Sequence, residues 1–479
     1  MGLFLCVDIG TSSLKASYID GAGRSRGFVR VPYARERPGP ADAGDWEAAF
    51  TRALGALRRE AMALGAHSLE PDALCISGNG PTLVPLTAEG EALGPLHWYR
   101  GGAAEGGAVP RDSPSLFLPS AAAFRRENPR DYERSRYFFS SQEWLSFRCG
   151  AEPVTVLPSA AYESYYWDDA QCAALDLDRG KFPPFAGLGS PIGKVSAAAA
   201  ETFGLRRGLP IIAGGPDFVM ALIGVGAVKP GIVCDRAGTS EGINLCSAVP
   251  FRAPRVRTLP HVEEGFWNLA VILASSGRYF EWFRDLTGQT RRDYGDVLGE
   301  LLPPPPPSCG GGGGRGLWEA GEGLLFPSIS SPGKGVSAFL MNASGGLSRA
   351  ALGRAVLESL GFSVREALDT FRRHGFPIAE MRLSGGQGKS PLWNQFKADI
   401  TGCTLLEPEI IDGELAGDAC AAAAALGEYG DLSQAAAGMV RIARTYRPSP
   451  EAAPRYEERF RAYRDLREKA ASWLSGIIL

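Results

Sequence analysis

The chain has 479 residues, a formal charge of −3 and 45% hydrophobic residues, enough for two or three domains at about 150 residues each. That charge gives no reason to expect nucleic acid or an anionic membrane surface as a partner. Nine cysteines lie without a CxxC spacing and four histidines lie far apart, so reduced thiols in a cytoplasmic protein are expected, not a disulfide framework or a zinc motif.

Asp8 interrupts the first apolar run, which argues against a signal peptide. No apolar run is long enough to span a bilayer. The run Leu3 to Asp8 is β-prone and ends in a carboxylate. Gly10, Thr11 and Ser12 follow, and Leu14 to Ile19 is strand-like again. The pattern predicts strand, tight turn, strand. Such a turn can aim several backbone N–H groups and two hydroxyls into one concavity, an anion nest suited to phosphate. A carboxylate at the strand end, beside the phosphate, suits a hydrated Mg²⁺. An ordinary hairpin with a Ser/Thr-rich loop fits this stretch equally well.

Val29 to Tyr33 predicts a third strand. Asp45 to Leu64 has helical spacing, with Trp46, Phe50, Leu54, Leu57 and Met62 near one face and Asp45 as N-cap. Ala73 to Ser77 predicts a buried strand that runs into the turn Gly78-Asn79-Gly80-Pro81. Phe124 to Arg148 predicts a helix, with Tyr137, Phe138, Phe139 and Trp144 as core. The aromatic cluster Tyr162 to Trp167 also reads as core.

A buried strand from Leu209 ends in Gly214-Gly215-Pro216, and Asp217 opens an apolar helix. Taken alone, Asp217 reads as an N-cap. Its place just before a second strand, Gly-Thr-Ser, strand pattern makes it a candidate proton acceptor. That second pattern runs from Gly231 to Leu245 around Gly238, Thr239 and Ser240. Two such hairpins, one opening each half, suggest a duplicated architecture.

Pro303 to Pro307 and Gly310 to Gly314 read as a surface loop. Ser348 to His374 has strong helical spacing. Gly388-Lys389-Ser390 suggests a Walker A loop, but the required earlier glycine is Leu383, so that reading is rejected. A strand, a glycine turn and a helix opening near Pro391 fit better, and glycines there would let a nucleoside ring approach backbone closely. An alanine-rich helix follows Glu414, and a charged amphipathic helix spans Tyr456 to Trp473.

Taken in order, Asp8-Ile9-Gly10-Thr11-Ser12, Gly214-Gly215-Pro216-Asp217, Gly238-Thr239-Ser240, Arg354 to Glu358, and Ser384-Gly385-Gly386-Gln387 with Lys389 to Trp393 resemble the FGGY carbohydrate kinases, xylulokinase-like members above all. The resemblance implies an α/β, two-domain, actin-like (ribonuclease H-like) ATPase fold, each domain a five-stranded mixed sheet with helices, around a central cleft. It implies residues 1–224 as the sugar and catalytic domain and 225–479 as the nucleotide domain. A terminal helix near 451–475 could pack back on the first domain.

The implied activity is transfer of a phosphoryl group from ATP with Mg²⁺ to a hydroxyl of a small sugar, with a ketose such as xylulose foremost. By motif position Asp217 is the general base and Asp8 organises the metal. Gly10, Thr11, Ser12, Lys15, Gly238, Thr239 and Ser240 line the phosphates. Gly385, Gly386, Gln387 and Asn394 surround the adenosine. Asn79, Gly80, Trp98 and Arg100 occupy sugar-facing positions, but Arg100 stands where relatives carry an aspartate, so the sugar is left open. A homodimer is also left open. An actin-like ATPase or a sugar-binding regulatory pseudokinase would share the phosphate hairpins. The aspartate at the Gly-Gly turn disfavours the first, and intact Asp8, Asp217 and Thr239 disfavour the second.

Overall fold

The computed structural model describes residues 1–34, 41–63, 70–94, 96–97, 115–238, 241–273, 276–302, 324–327, 338–341 and 348–474. The chain forms two compact units. The first comprises Met1–Val228, Leu259–Trp267 and Asp412–Arg441; the second comprises Lys229–Thr258, Asn268–Ile411 and Ile442–Leu479. The division is therefore not a single cut, because a late segment belongs to the first unit.

The first unit holds a six-stranded sheet in the order Ser25–Pro32, Ser13–Asp20, Leu3–Ile9, Ala73–Gly78, Pro210–Ile212, Pro191–Lys194. Leu3–Ile9 pairs antiparallel with Ser13–Asp20 and parallel with Ala73–Gly78. The second unit holds a seven-stranded sheet in the order Val256–Pro260, Trp267–Leu273, Glu241–Ser247, Ile232–Ala237, Glu380–Ser384, Leu405–Pro408, Ile442–Tyr446. Here Ile232–Ala237 pairs antiparallel with Glu241–Ser247 and parallel with Glu380–Ser384. Both units thus repeat one arrangement, a hairpin whose first strand continues into a parallel neighbour. Five strands were expected in each sheet. The extra ones are edge strands, Pro191–Lys194 and Ile442–Tyr446 antiparallel beside the parallel set, with Val256–Pro260 at the far edge of the second sheet.

Strands buried on both faces need apolar runs, and Phe4, Leu5, Cys6, Val7 and Ile9 are all 0% exposed. The helix Ala43–Ala63 lays Trp46, Phe50, Leu54 and Leu57 on this core. Phe50 meets Phe203 edge-on at 5.1 Å, and burying such a ring contributes about 1.5–3 kcal/mol. Its N-terminus is capped by Asp42, not Asp45. Asp42 Oδ1 accepts the Asp45 amide at 2.9 Å, and Asp45 Oδ2 accepts the Asp42 amide at 3.1 Å.

The helix expected over 124–148 is broken. Helices Leu118–Glu127, Pro129–Arg134 and Ser141–Cys149 surround a strand, Ser135–Phe139, which pairs with Val84–Thr87. Pro129 disfavours helical backbone at Asn128, and the β-prone Tyr137-Phe138-Phe139 then finds a strand partner. Tyr162, Tyr166 and Trp167 are buried against Phe117 and Phe182, a core cluster as expected.

In the second unit the helix Arg349–Arg373 starts at Ser348, whose side chain accepts the Ala351 amide. The last helix, Ala452–Leu474, sets Tyr456, Phe460 and Tyr463 into a core with Phe362 and Phe396. Its aromatic stripe therefore packs within the second unit. None of the eight described cysteines is in a disulfide. No described helix is long and apolar enough to cross a membrane.

His261 sets an acid limit on the first unit. It is 1% exposed. Its Nε2 lies 3.1 Å from the Ala227 carbonyl, and its Nδ1 accepts the Glu263 amide at 3.1 Å. Both nitrogens are satisfied in the neutral ring. Burial depresses its pKa to about 4 despite the Ala227 hydrogen bond. The unfolded chain then binds a proton below the ordinary histidine pKa that the folded chain refuses, so stability falls as pH drops through that range. His261→Gln is expected to remove about 2 kcal/mol of the stability lost between pH 7 and pH 5. Thermal melts of both proteins at the two pH values check this.

Candidate functional site

In the first unit the turn after Leu3–Ile9 is tight. Gly10 N–H donates to Ser13 O at 3.1 Å, and a Cβ on Gly10 would lie 2.9 Å from that oxygen. Tyr33 braces the turn through its hydroxyl on Gly10 O at 2.9 Å. Thr11 and Ser12 are exposed at the tip.

Strand register places Asp8 opposite Lys15. Lys15 Nζ lies 3.2 Å from Asp8 Oδ2, 3.1 Å from Asp412 Oδ1 and 3.6 Å from Glu414 Oε2. Burial pulls the ammonium pKa down, but Glu414, Asp8 and Asp412 overcome it and hold Lys15 charged. Burial pushes the Asp8 carboxyl up to about 7 against the pull of Lys15, and Glu414 and Asp217 push the same way. Asp217 is thus close enough to act on Asp8 electrostatically.

Close backbone packing carries these groups. The helix Gly413–Ala425 lies against the helix Asp217–Gly224, where a Cβ on Gly224 would sit 1.9 Å from Gly413 O and one on Gly417 would sit 2.1 Å from Met220 O. Asp412 precedes this helix, Glu414 is in its first turn, and both belong to the first unit. Asp418, in the same helix, is fully buried. It accepts the Ser77 hydroxyl at 3.0 Å and the Cys75 thiol at 3.6 Å. Burial, then the charge of Asp8, drives its carboxyl well above the usual range. The sequence reading assigned no role to Asp412, Glu414 or Asp418. The legible signal was three acids on or at the mouth of an otherwise alanine-rich helix.

Asp217 is the first residue of its helix, and the N-cap position belongs to Pro216. The carboxylate is half-buried, and its Oδ1 accepts the Phe218 amide at 2.7 Å. The glycines before it are required by space: a Cβ on Gly214 would lie 2.1 Å from Ile76 O. A Cβ on Gly80 would come within 3.5 Å of Pro216 Cβ, so the turn after Ala73–Gly78 lies beside the start of this helix. Asn79 is buried. Its backbone N–H and Nδ2 both donate to Ile9 O, at 2.9 and 3.1 Å, and its Oδ1 accepts Thr82 Oγ1 at 2.7 Å. Its amide thus ties this turn to the end of the first strand. Trp98 and Arg100 lie outside the described residues.

Asp8 Oδ1 is buried without a hydrogen-bond partner. An orphaned, desolvated carboxylate oxygen facing an acid-rich cluster fits a cation, or a water carried by one. Among the described residues no three His, Cys, Asp or Glu side chains are grouped to hold a metal directly. That donor set suits Mg²⁺, which keeps most of its waters and uses one or two carboxylates with substrate phosphates.

In the second unit Gly238 closes the strand Ile232–Ala237, and Thr239 and Ser240 lie outside the described residues, as does the loop 303–314. The strand Glu380–Ser384 leads into Gly385, at φ +90°, where a Cβ would lie 2.5 Å from Ala237 O. Only glycine accepts both demands. Gly386 is exposed with open space above it. Gln387 Nε2 donates to Gly238 O at 2.8 Å, so this turn and the second hairpin are brought together. Asn394 is fully buried and its Nδ2 donates to Gly388 O at 2.7 Å; it shapes the glycine turn from below. The helix Pro391–Thr401 opens with Ser390 capping the Trp393 amide.

Residues 326–426 match the family model described as the FGGY family of carbohydrate kinases, C-terminal domain. An autoinducer-2 kinase from Escherichia coli O9:H4 is 25% identical over 348 residues, 68% of this chain and 64% of its own. The chain thus spans just under two thirds of that relative. The xylulose kinase of Rhodospirillum rubrum superposes with a TM-score of 0.77 at 20% identity, covering 98% of this chain and 99% of its own. The gluconate kinase of Lactobacillus acidophilus superposes at 0.79 with 18% identity, covering 98% of each chain. The fold is the two-domain, actin-like ATPase fold. Residues 326–426 thus carry the C-terminal domain of the FGGY family of carbohydrate kinases, and the relatives matched over the rest of the chain are kinases by name.

Proposed function

We propose that the chain transfers the γ-phosphoryl group of Mg-ATP to a hydroxyl of a small sugar, with a ketose such as xylulose as the first candidate. The observation that carries this reading is Asp217. It stands half-exposed at a helix start, in the same unit as the Asp8–Lys15 hairpin, and it acts electrostatically on Asp8. A purely structural aspartate would not need that combination of exposure and proximity.

Phosphoryl transfer demands positioning and charge neutralisation more than covalent help. Asp217 would take the proton from the attacking hydroxyl at a carboxylate oxygen. Lys15, neutralised by Asp412 and Glu414, holds Asp8 in place, with Oδ2 on the ammonium and Oδ1 open. Asp8 would hold Mg²⁺ through Oδ1 or an intervening water; the ion supplies neutralisation of phosphate charge. The turn at Gly10–Ser12 would offer backbone N–H groups to phosphate oxygens. Gly385, Gly386 and Gln387 would leave backbone surface for the adenosine.

The test is ADP release with D-xylulose, L-ribulose, glycerol and a sugar acid. Release with at least one acceptor, well above the acceptor-free rate, is the expected outcome. A protein that binds nucleotide yet releases no ADP with any acceptor would overturn the reading in favour of a regulatory role.

A further inference from the structure

A buried charged cluster lies under the second hairpin. Lys397, on the helix Pro391–Thr401, is 1% exposed. Its Nζ lies 2.6 Å from Asp235 Oδ2 and 2.6 Å from Glu241 Oε1. Glu241 Oε2 accepts the Ser276 hydroxyl at 2.6 Å. Ser276 Oγ is met at 3.4 Å by Gln387 Nε2, which also donates to Gly238 O at 2.8 Å. Asp235 stands three places before Gly238, and Glu241 follows Ser240 directly. One ammonium therefore ties both stems of the hairpin together, and a short chain of hydrogen bonds ties them to the glycine turn.

Fold stability does not explain this lysine. Its helix neighbours Trp393, Phe396 and Ile400 are buried hydrophobics, and an apolar residue would continue their face. Replacing a buried ionic group by packed apolar residues is often neutral or stabilising. What the charges add is a fixed geometry, because each oxygen of Glu241 has its own donor. We propose that Lys397 is a positioning residue that sets the spacing of the hairpin end at Gly238 against the Gly385–Lys389 turn, and through it the affinity for nucleotide phosphates. The inference rests on the reading of those turns as the nucleotide site.

The test uses the full chain and ADP, with and without Mg²⁺, as probe. The triple variant Asp235→Asn/Glu241→Gln/Lys397→Met removes the charges together and leaves no buried ion unpaired. Ser276→Ala removes the hydroxyl that joins Glu241 Oε2 to Gln387 and leaves both Lys397 ion pairs in place. Both are expected to keep wild-type near-ultraviolet dichroism and the wild-type KM for the sugar. ADP affinity should fall about tenfold in the triple variant and about threefold in Ser276→Ala. Wild-type ADP affinity in the folded variants would overturn the proposal. Failure of the wild-type protein itself to bind ADP would instead remove the nucleotide reading on which the proposal stands. If the triple variant does not fold, Ser276→Ala decides alone, and unchanged affinity there overturns the proposal.

Discussion

Asp217→Asn is expected to lower kcat by about 100-fold or more, the usual worth of a general base, with ADP affinity unchanged. The substitution keeps volume and a carbonyl acceptor for the Phe218 amide, now taken by Asp217 Oδ1 at 2.7 Å. It removes the negative charge and with it the capacity to accept a proton. Asp217 is the first residue of the helix Asp217–Gly224, where amides and the helix dipole favour negative charge. The carboxylate therefore stands at a helix start that suits it, half-buried. Steady-state kinetics with the best acceptor and calorimetric ADP titration measure both quantities. Turnover within a few-fold of wild type would remove Asp217 from the role of base.

The hairpins were legible because their signal is local: β-prone runs on both sides of Gly-Thr-Ser, in each half. The helix Arg349–Arg373 was legible because Leu352, Val356, Leu360, Val364 and Leu368 recur at four-residue spacing. The strand Ser135–Phe139 was not, because a run of five residues among helix formers declares itself only by its partner Val84–Thr87.

The site divides the same way. Asp8 and Asp217 stand in glycine-rich motifs that a sequence displays directly. Asp412 and Glu414 reach Lys15 from almost 400 places away, and no local spacing announces such a contact. Lys397 is hidden by the opposite effect. On a helix a lysine reads as solvated, and only the buried acids on neighbouring strands reveal it. Asn79 was legible as a turn residue after a buried strand. Only the structure shows its amide committed to Ile9 and Thr82.

Asp8→Asn is expected to move activity and stability in opposite directions. Loss of the carboxylate should cost about 100-fold or more in kcat, the scale of one preorganised electrostatic group, since Asn cannot supply the charge for which Oδ1 is left open. Stability should rise at neutral pH. Burial lifts the folded-state pKa of Asp8 to about 7, so between the ordinary aspartate pKa and pH 7 the folded chain holds a proton that the unfolded chain has released. Folding stability therefore declines across that interval as pH rises, and the cost is fully present above it. Asn carries no such cost, and Lys15 keeps Asp412 and Glu414 as partners. The melting temperature of the variant relative to wild type should climb from pH 5 to pH 8 without added metal. A variant that loses activity and is also less stable at pH 8 would make Asp8 a structural anchor for Lys15. A gain in stability with loss of turnover marks a carboxylate kept ionised at the expense of the fold, as functional sites often are.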